Sequence, residues 1–179
     1  MVTRLPRKFF ARAPEIVAHE LIGCVMVVTR PDRQLRAMIV ETEAYDGATD
    51  PASHAYRGST PRTEIMFGPA GHVYVYRSYG VHWCMNIVTG SPGTASAVLL
   101  RGAEFVGERE NDPTNMRGPG LLTRALDVSG ADNGEDVCHN PPRKFSFTSP
   151  PKGEPLRVGR STRIGISKAQ DRLWRFFKE

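Results

Sequence analysis

The stretch GHVYVYRSYGVHWCMNIVTG, residues 71–90, decides how the rest of the chain is read. It is dense in β-branched and aromatic residues, which fit a pleated, half-buried surface better than a helix. Gly80 interrupts it near the middle, so the pattern is that of a β-hairpin with its turn near Ser78–Val81. Alternation along the first strand puts Tyr74 and Tyr76 on one face. Tyr79-Gly80 falls at or beside the turn, where a large aromatic has little core to enter.

Outward from the hairpin, CVMVVTR (24–30) and LRAMIVETEAY (35–45) read as two strands joined by the turn-like PDRQ. ASAVLLRGAEF (95–105) reads as a further strand after the turn SPGT. Pro14 suits the first turn of a helix running through EIVAHELIG, which Gly23 would end. LLTRALDV (121–128) has the character of a short helix, and residues 46–71 are rich in chain breakers. KFSFT (144–148) alternates like a short strand, and RVGRSTRIGIS (157–167) is the last strand region. QDRLWRFF (170–177) reads as a short helix or a packed tail. Short strands joined by turns, with few helices, give an α+β fold, one domain over residues 1–179, rather than a doubly wound parallel sheet.

The 179 residues, 40% hydrophobic and 24% charged, are enough for one domain with a real core. No run approaches the roughly 18–20 apolar residues of a membrane span, so no membrane partner is expected. The opening MVTRLPRKFFARAPEI is basic but lacks an apolar segment, unlike a secretory signal. Three scattered cysteines, Cys24, Cys84 and Cys138, suit a reduced, cytoplasmic setting better than a disulfide framework. The net charge of +5 is uneven: residues 143–179 carry 10 Lys/Arg against 3 Asp/Glu, while residues 101–142 carry 4 against 8. A basic C-terminal segment fits phosphate contacts, or simply a solvated basic face.

The candidate chemistry gathers in ETEAYDGATDPASHAYRG, residues 41–58. Glu41, Glu43 and Tyr45 share a strand face, which leaves open an acid/base pair, half of a metal site, one working acid beside a bystander, or solvated acids at a strand end. Their Cα spacing of about 6.5–7 Å resembles that of inverting sugar hydrolases, but two acids pointing the same way cannot flank a bond. The histidines at 19, 54, 72, 82 and 139 form no metal-ligand pattern, so no metal is expected. The chain has neither GxxxxGK[ST] nor GxGxxG after a strand, and no cofactor is expected. RGPGLL (117–122) would allow backbone N–H groups to approach a phosphate, with Arg117 and Arg124 nearby. An enzyme acting on a base in a duplex must extrude it, fill the gap and grip the base between flat side chains. Tyr79 as a minor-groove wedge, with Tyr45, His54 and Glu43, would provide those parts.

With these features the sequence resembles the alkyladenine (3-methyladenine) DNA glycosylase family. The matching stretches are ETEAYDG, SHAYRGSTPRTEIMFGPAGHVYVYRSYGVHWCMNIVTG, AVLLRGAEF and RGPGLLTRALDV, with weaker matches in FFARAPEIVAHELIG and RIGIS. The resemblance implies a curved, mainly antiparallel sheet with peripheral helices and a protruding hairpin. It implies hydrolysis of the N-glycosidic bond of damaged purines in double-stranded DNA, leaving an abasic site, by a cytoplasmic monomer (nucleoid-associated in a bacterium). By position, Glu43 matches the general base and Arg101 the arginine that helps hold Glu43 and its water. Tyr45, His54 and Tyr76 match the residues stacking around the flipped base, and Asn86 the pocket residue that crowds a guanine amino group. Tyr79 matches the wedge, and Met66 an apolar residue packing against the opposite strand. An aromatic box of this kind suits an electron-poor, cationic ring. No lysine stands at position 43 to form a Schiff base, so a monofunctional enzyme is expected. Leu121 stands where a lysine often follows GPG, TPRT replaces TPRN, and the basic C-terminus is short. A nucleic-acid-binding module of the same fold would need neither Glu43 nor Arg101, and a carbohydrate hydrolase would need Glu41 and Glu43 equally.

Overall fold

Eight strands pair antiparallel into one curved sheet in the computed structural model, which describes residues 3–151, 153 and 156–179, with Glu108 described by its backbone alone. The chain begins with α1 (Arg7–Phe10) and α2 (Pro14–Leu21). Proline at the first position of α2 loses no helical hydrogen bond, and Gly23 ends the helix at φ +87°. β1 (Val25–Thr29) and β2 (Gln34–Tyr45) follow, then β3 (Val73–Ser78), β4 (His82–Thr89) and β5 (Ser96–Phe105). After α3 (Pro119–Ala125) come β6 (Phe145–Thr148), β7 (Val158–Ser161) and β8 (Arg175–Lys178).

β2 is the spine of the sheet. β5 pairs along one edge, while β1 takes the first half of the other edge and β8 the second half, opposite Glu41–Glu43. The main path runs β3-β4-β5-β2-β1-β6, and β7 attaches through β8. α2 packs across β2 and β5, and Val17, Ala18 and Leu21 join Leu35, Ala37, Ile39, Val98 and Leu100 in the buried core.

Two bulges set which residues meet that core. Pairing steps from Ile39↔Ala103 to Glu41↔Gly102 and then to Thr42↔Leu100, leaving Val40 unpaired on β2 and Arg101 unpaired on β5. An extra residue inverts the alternation beyond it. On β2 the core face is held by residues 35, 37 and 39 before the bulge and by Ala44 after it, while the Thr42 hydroxyl donates to Ala18 O. Unbroken alternation would have turned Glu41, Glu43 and Tyr45 inward behind Leu35, Ala37 and Ile39. On β5 the same inversion separates core residues Ala103 and Phe105 from Leu100 and Val98, and turns Arg101, Leu99 and Ala97 to the opposite face.

The hairpin is as the sequence indicates, with β3 and β4 in register from Val73↔Ile87 to Ser78↔His82. Its turn has φ +49° at Tyr79 and φ +68° at Gly80, and Val81 N–H donates to Ser78 O at 3.0 Å, a type I′ turn. The left-handed conformation costs a side-chain-bearing residue about 1–2 kcal/mol. Tyr79 adopts it while 93% exposed, so no packing offsets that strain.

The C-terminal segment departs from the sequence reading. QDRLWRFF forms no helix; it is a packed tail whose end is a strand, β8, bonded to both β2 and β7. RVGRSTRIGIS is a strand only over Val158–Ser161, and residues 163–168 run irregularly. Part of the basic C-terminal charge is paired internally, in Lys144–Asp132, Arg163–Asp50, Arg175–Glu41 and Lys178–Glu104.

Candidate active site

One rung across four strands, Tyr74–Asn86–Leu99–Glu43, is built by the register of β3, β4, β5 and β2. Tyr74, Asn86 and Leu99 on this rung line a pocket of about 640 Å³, joined by Tyr45, His54, Met66, Tyr76, Arg101 and Ile164. That volume is in the range of small-molecule sites.

Glu43 stands behind the wall made by Tyr45, Arg101 and Ile164, with 0% of its surface exposed. Its Oε2 accepts from the Tyr45 hydroxyl at 2.7 Å and its Oε1 from Ile164 N–H at 2.8 Å. Arg101 Nε lies 3.4 Å from the same Oε1 and donates to Glu41 Oε1 at 2.8 Å. Glu41 therefore holds Arg101, and Arg175 from β8 holds Glu41 at 2.7 Å. Burial raises the Glu41 pKa, but hydrogen bonds from Arg175 and Arg101 outweigh it and the net shift is downward. Burial also acts against the Arg101 cation, yet the Glu43 and Glu41 charges prevail and raise its pKa. Burial, reinforced by the Glu43 charge, raises the Tyr45 pKa, so the phenol keeps the proton it donates.

The aromatic walls meet edge to face. His54 lies 4.6 Å from the Tyr76 ring centroid at 78°, and its Nδ1 is 3.1 Å from the Tyr74 hydroxyl. Burial, then the Arg62 charge, lowers the His54 pKa, which favours neutral imidazole. Burial, with Cys84 next to it, raises that of Tyr76. Asn86 is buried and donates its amide to Tyr74 O at 3.1 Å. The Arg62 guanidinium sits 5.2 Å from the Tyr76 centroid, so one wall already carries a cation. The charged residues among the described lining are Arg62, Arg77, Arg101 and Lys168, with no carboxylate. A cationic ring therefore meets less attraction here than an aromatic box alone would offer.

Tyr79 lines the pocket edge at the hairpin tip. Met66 is at odds with the expected contact to an opposite strand. It is 3% exposed, packed with Ala55, Tyr74, Val88 and Ala97, and reaches the pocket from within. Arg117 does not line the pocket; 80% of its side chain is exposed, and it lies 3.7 Å from the Glu104 carboxylate. Arg124 lies in a neighbouring hollow with Tyr79, Val81 and Leu121. The RGPG segment braces Arg101 instead, through Gly118 N–H to Arg101 O at 2.7 Å. Sequence reasoning passed over Arg62 and Arg175. The only signal for Arg62 was the TPRT motif, and for Arg175 the basic tail. Among the described residues, no three His, Cys, Asp or Glu side chains group closely enough to hold a metal. No described helix is long and apolar enough to cross a membrane.

The model of the family described as methylpurine-DNA glycosylase matches residues 8–179. The chain belongs to the methylpurine-DNA glycosylase family. Curated relatives cover nearly its whole length, each provisionally named a 3-methyladenine DNA glycosylase. That of Streptomyces avermitilis is 43% identical, over 98% of this chain and 87% of its own. That of Methanoculleus marisnigri is 42% identical, over 97% and 94%. That of Frankia casuarinae is 47% identical, over 94% and 86%. Membership of this family supports DNA glycosylase activity, hydrolysis of an N-glycosyl bond in DNA.

Proposed function

We propose that the protein flips an alkylated or deaminated purine from duplex DNA into the aromatic pocket and releases it by attack of a Glu43-activated water. The observation that carries this reading is the placement of Glu43, a fully buried carboxylate oriented by Tyr45, Ile164 and Arg101 behind a wall of flat side chains. Water adds to C1′ as the bond to the base nitrogen breaks and its electron pair leaves with the base, and Glu43 accepts the proton the water gives up. A cationic alkylated purine departs neutral, while a deaminated one must also gain a proton. Arg101 lies near enough to help orient both water and carboxylate. The carboxylate has no exposed surface in the free protein, so a water reaches it only as the wall in front of it shifts.

Energetically, Tyr45, His54 and Tyr76 offer stacking of about 1–3 kcal/mol per base, comparable with the few kcal/mol that extrusion costs. Tyr79, exposed and conformationally strained at the tip, is placed to occupy the vacated position in the stack. Arg124, beside Tyr79, is available for a backbone phosphate. The position of Glu43 holds no amine, which fits a monofunctional enzyme that leaves the strand intact.

The test incubates the protein with duplexes bearing 3-methyladenine, 7-methylguanine, hypoxanthine or ethenoadenine and measures free base and abasic sites. Release from at least one duplex, with strands uncut until alkali is added, is the expected result. Tight binding with no release from any of them would instead mark a binding module of the same fold.

A further inference from the structure

A buried ion pair lies outside the residues assigned so far. The side chains of Arg163 and Asp50 are both 0% exposed and form a two-point ion pair, with Nη2 donating to Oδ1 at 2.9 Å and Nη1 to Oδ2. As a device for stability the pair is poor. Desolvation offsets much of the attraction, and Arg163 Nε is buried without a hydrogen-bond partner among the described residues. Its contacts, however, converge on the groups around Glu43. We propose that Arg163, clamped by Asp50, is the positioning residue that fixes Glu43 and Tyr45 in their working geometry, an inference that rests on the glycosylase reading above.

The contacts of this pair carry it. Arg163 Nη1 donates to Ala44 O at 2.9 Å, the carbonyl between Glu43 and Tyr45 in sequence. Its guanidinium carbon lies 4.6 Å from the Tyr45 ring centroid, and the Trp174 ring also lies against it at 5.4 Å. The peptide N–H immediately after it, on Ile164, is the one that Glu43 Oε1 accepts at 2.8 Å. Asp50 in turn accepts from the backbone of Asp46 and Ala52, organising the loop that leads to His54. Glu43 is oriented by the Tyr45 hydroxyl, the Ile164 N–H and Arg101, and the first two trace directly to Arg163. A planar fork has a fixed geometry that a lysine ammonium cannot reproduce. Misplacing a reacting group by about 1 Å lowers a rate on the order of 10²-fold.

The experiment compares wild type, Arg163→Lys, which keeps the charge but loses the fork, and the double variant Arg163→Met/Asp50→Leu, an apolar pair of similar bulk. Single-turnover release of 7-methylguanine is measured per folded molecule, counted by titration with a duplex carrying a tetrahydrofuran abasic analogue. Both variants should release base about 10²-fold more slowly and bind the tetrahydrofuran duplex within about threefold of wild type. In a Glu43→Gln background, Arg163→Lys should change the residual rate by less than about twofold, because both changes remove one function. Release by Arg163→Lys within threefold of wild type would overturn the proposal. So would rate and affinity falling together, or an undiminished effect in the Glu43→Gln background. Wild type that releases no base at all would refute the glycosylase reading, a result separate from any of these.

Discussion

Replacing Glu43 by glutamine removes one charge and keeps the side chain's size, so the outcome can be worked from its three contacts. Oε1 meets two donors, Ile164 N–H at 2.8 Å and Arg101 Nε at 3.4 Å, so the amide oxygen must take that place. The amide nitrogen then faces the Tyr45 oxygen, 2.7 Å from Oε2 in the wild type, and the phenol turns from donor to acceptor. The Tyr45 O–H and the second amide N–H are then left without the acceptor the carboxylate supplied, and charge-assisted hydrogen bonds become neutral ones, a loss of about 1–3 kcal/mol of stability. The effect on chemistry is larger. A general base contributes typically about 10²–10⁴ in rate, or roughly 2.7–5.4 kcal/mol of barrier. Single-turnover release of hypoxanthine from a defined duplex, followed by chromatography of the free base, measures the rate, and fluorescence anisotropy measures binding of the same duplex. Glu43→Gln should bind within a few-fold of wild type and release base at least 10²-fold more slowly. A folded, binding-competent variant whose release stayed within tenfold of wild type would refute the general-base assignment.

Other perturbations separate further parts of the site. Tyr79→Asn suits the type I′ turn better and should raise unfolding free energy in urea by about 1 kcal/mol while lowering 2-aminopurine fluorescence on lesion binding. Undiminished fluorescence would remove Tyr79 as the wedge, and unchanged stability would remove the strain. Glu41→Gln takes the shared acceptor from Arg101 and Arg175 and should cost about 1–2 kcal/mol at neutral pH. Because the Glu41 pKa is lowered on folding, its contribution is complete above its unfolded value and is lost as pH falls through the folded one. The stability gap between wild type and Glu41→Gln should therefore close in acid, and a gap constant from pH 7 to pH 3 would count against the charge network. Arg62→Ala frees the Tyr76 face and should raise the ratio of 7-methylguanine to hypoxanthine release about 2–5-fold, the equivalent of about 0.5–1 kcal/mol of cation–π attraction. Comparing two lesions in one duplex context cancels any change in DNA affinity, so an unchanged ratio would show that Arg62 does not set the pocket's preference for charge.

Much of this was legible in the residues because the signals were local. The hairpin at 73–89 announced itself by β-branched and aromatic density around a Tyr-Gly turn, and the shared face of Glu43 and Tyr45 needed only the two-residue repeat. The C-terminal strand was not legible. Residues 175–178 are a strand because β2 has a free edge opposite Glu41–Glu43, a partner 132–136 residues away in sequence. Met66 was misplaced for a related reason: an apolar residue in a loop-rich stretch does not reveal whether it faces a ligand, a partner or its own small core.

The sequence by itself determined the type of chemistry available: one acid, one arginine, flat side chains and an exposed aromatic, on strands of the right period. The tertiary structure alone decided how these meet. The bulges at Val40 and Arg101 turn the carboxylates away from the core face that simple alternation would give them, because an extra residue inverts every position beyond it. Distant partners do the rest: Asp50 meets Arg163 across 113 positions and Glu41 meets Arg101 across 60. Such pairings leave no periodic trace in a chain, since they depend on which elements the sheet brings side by side.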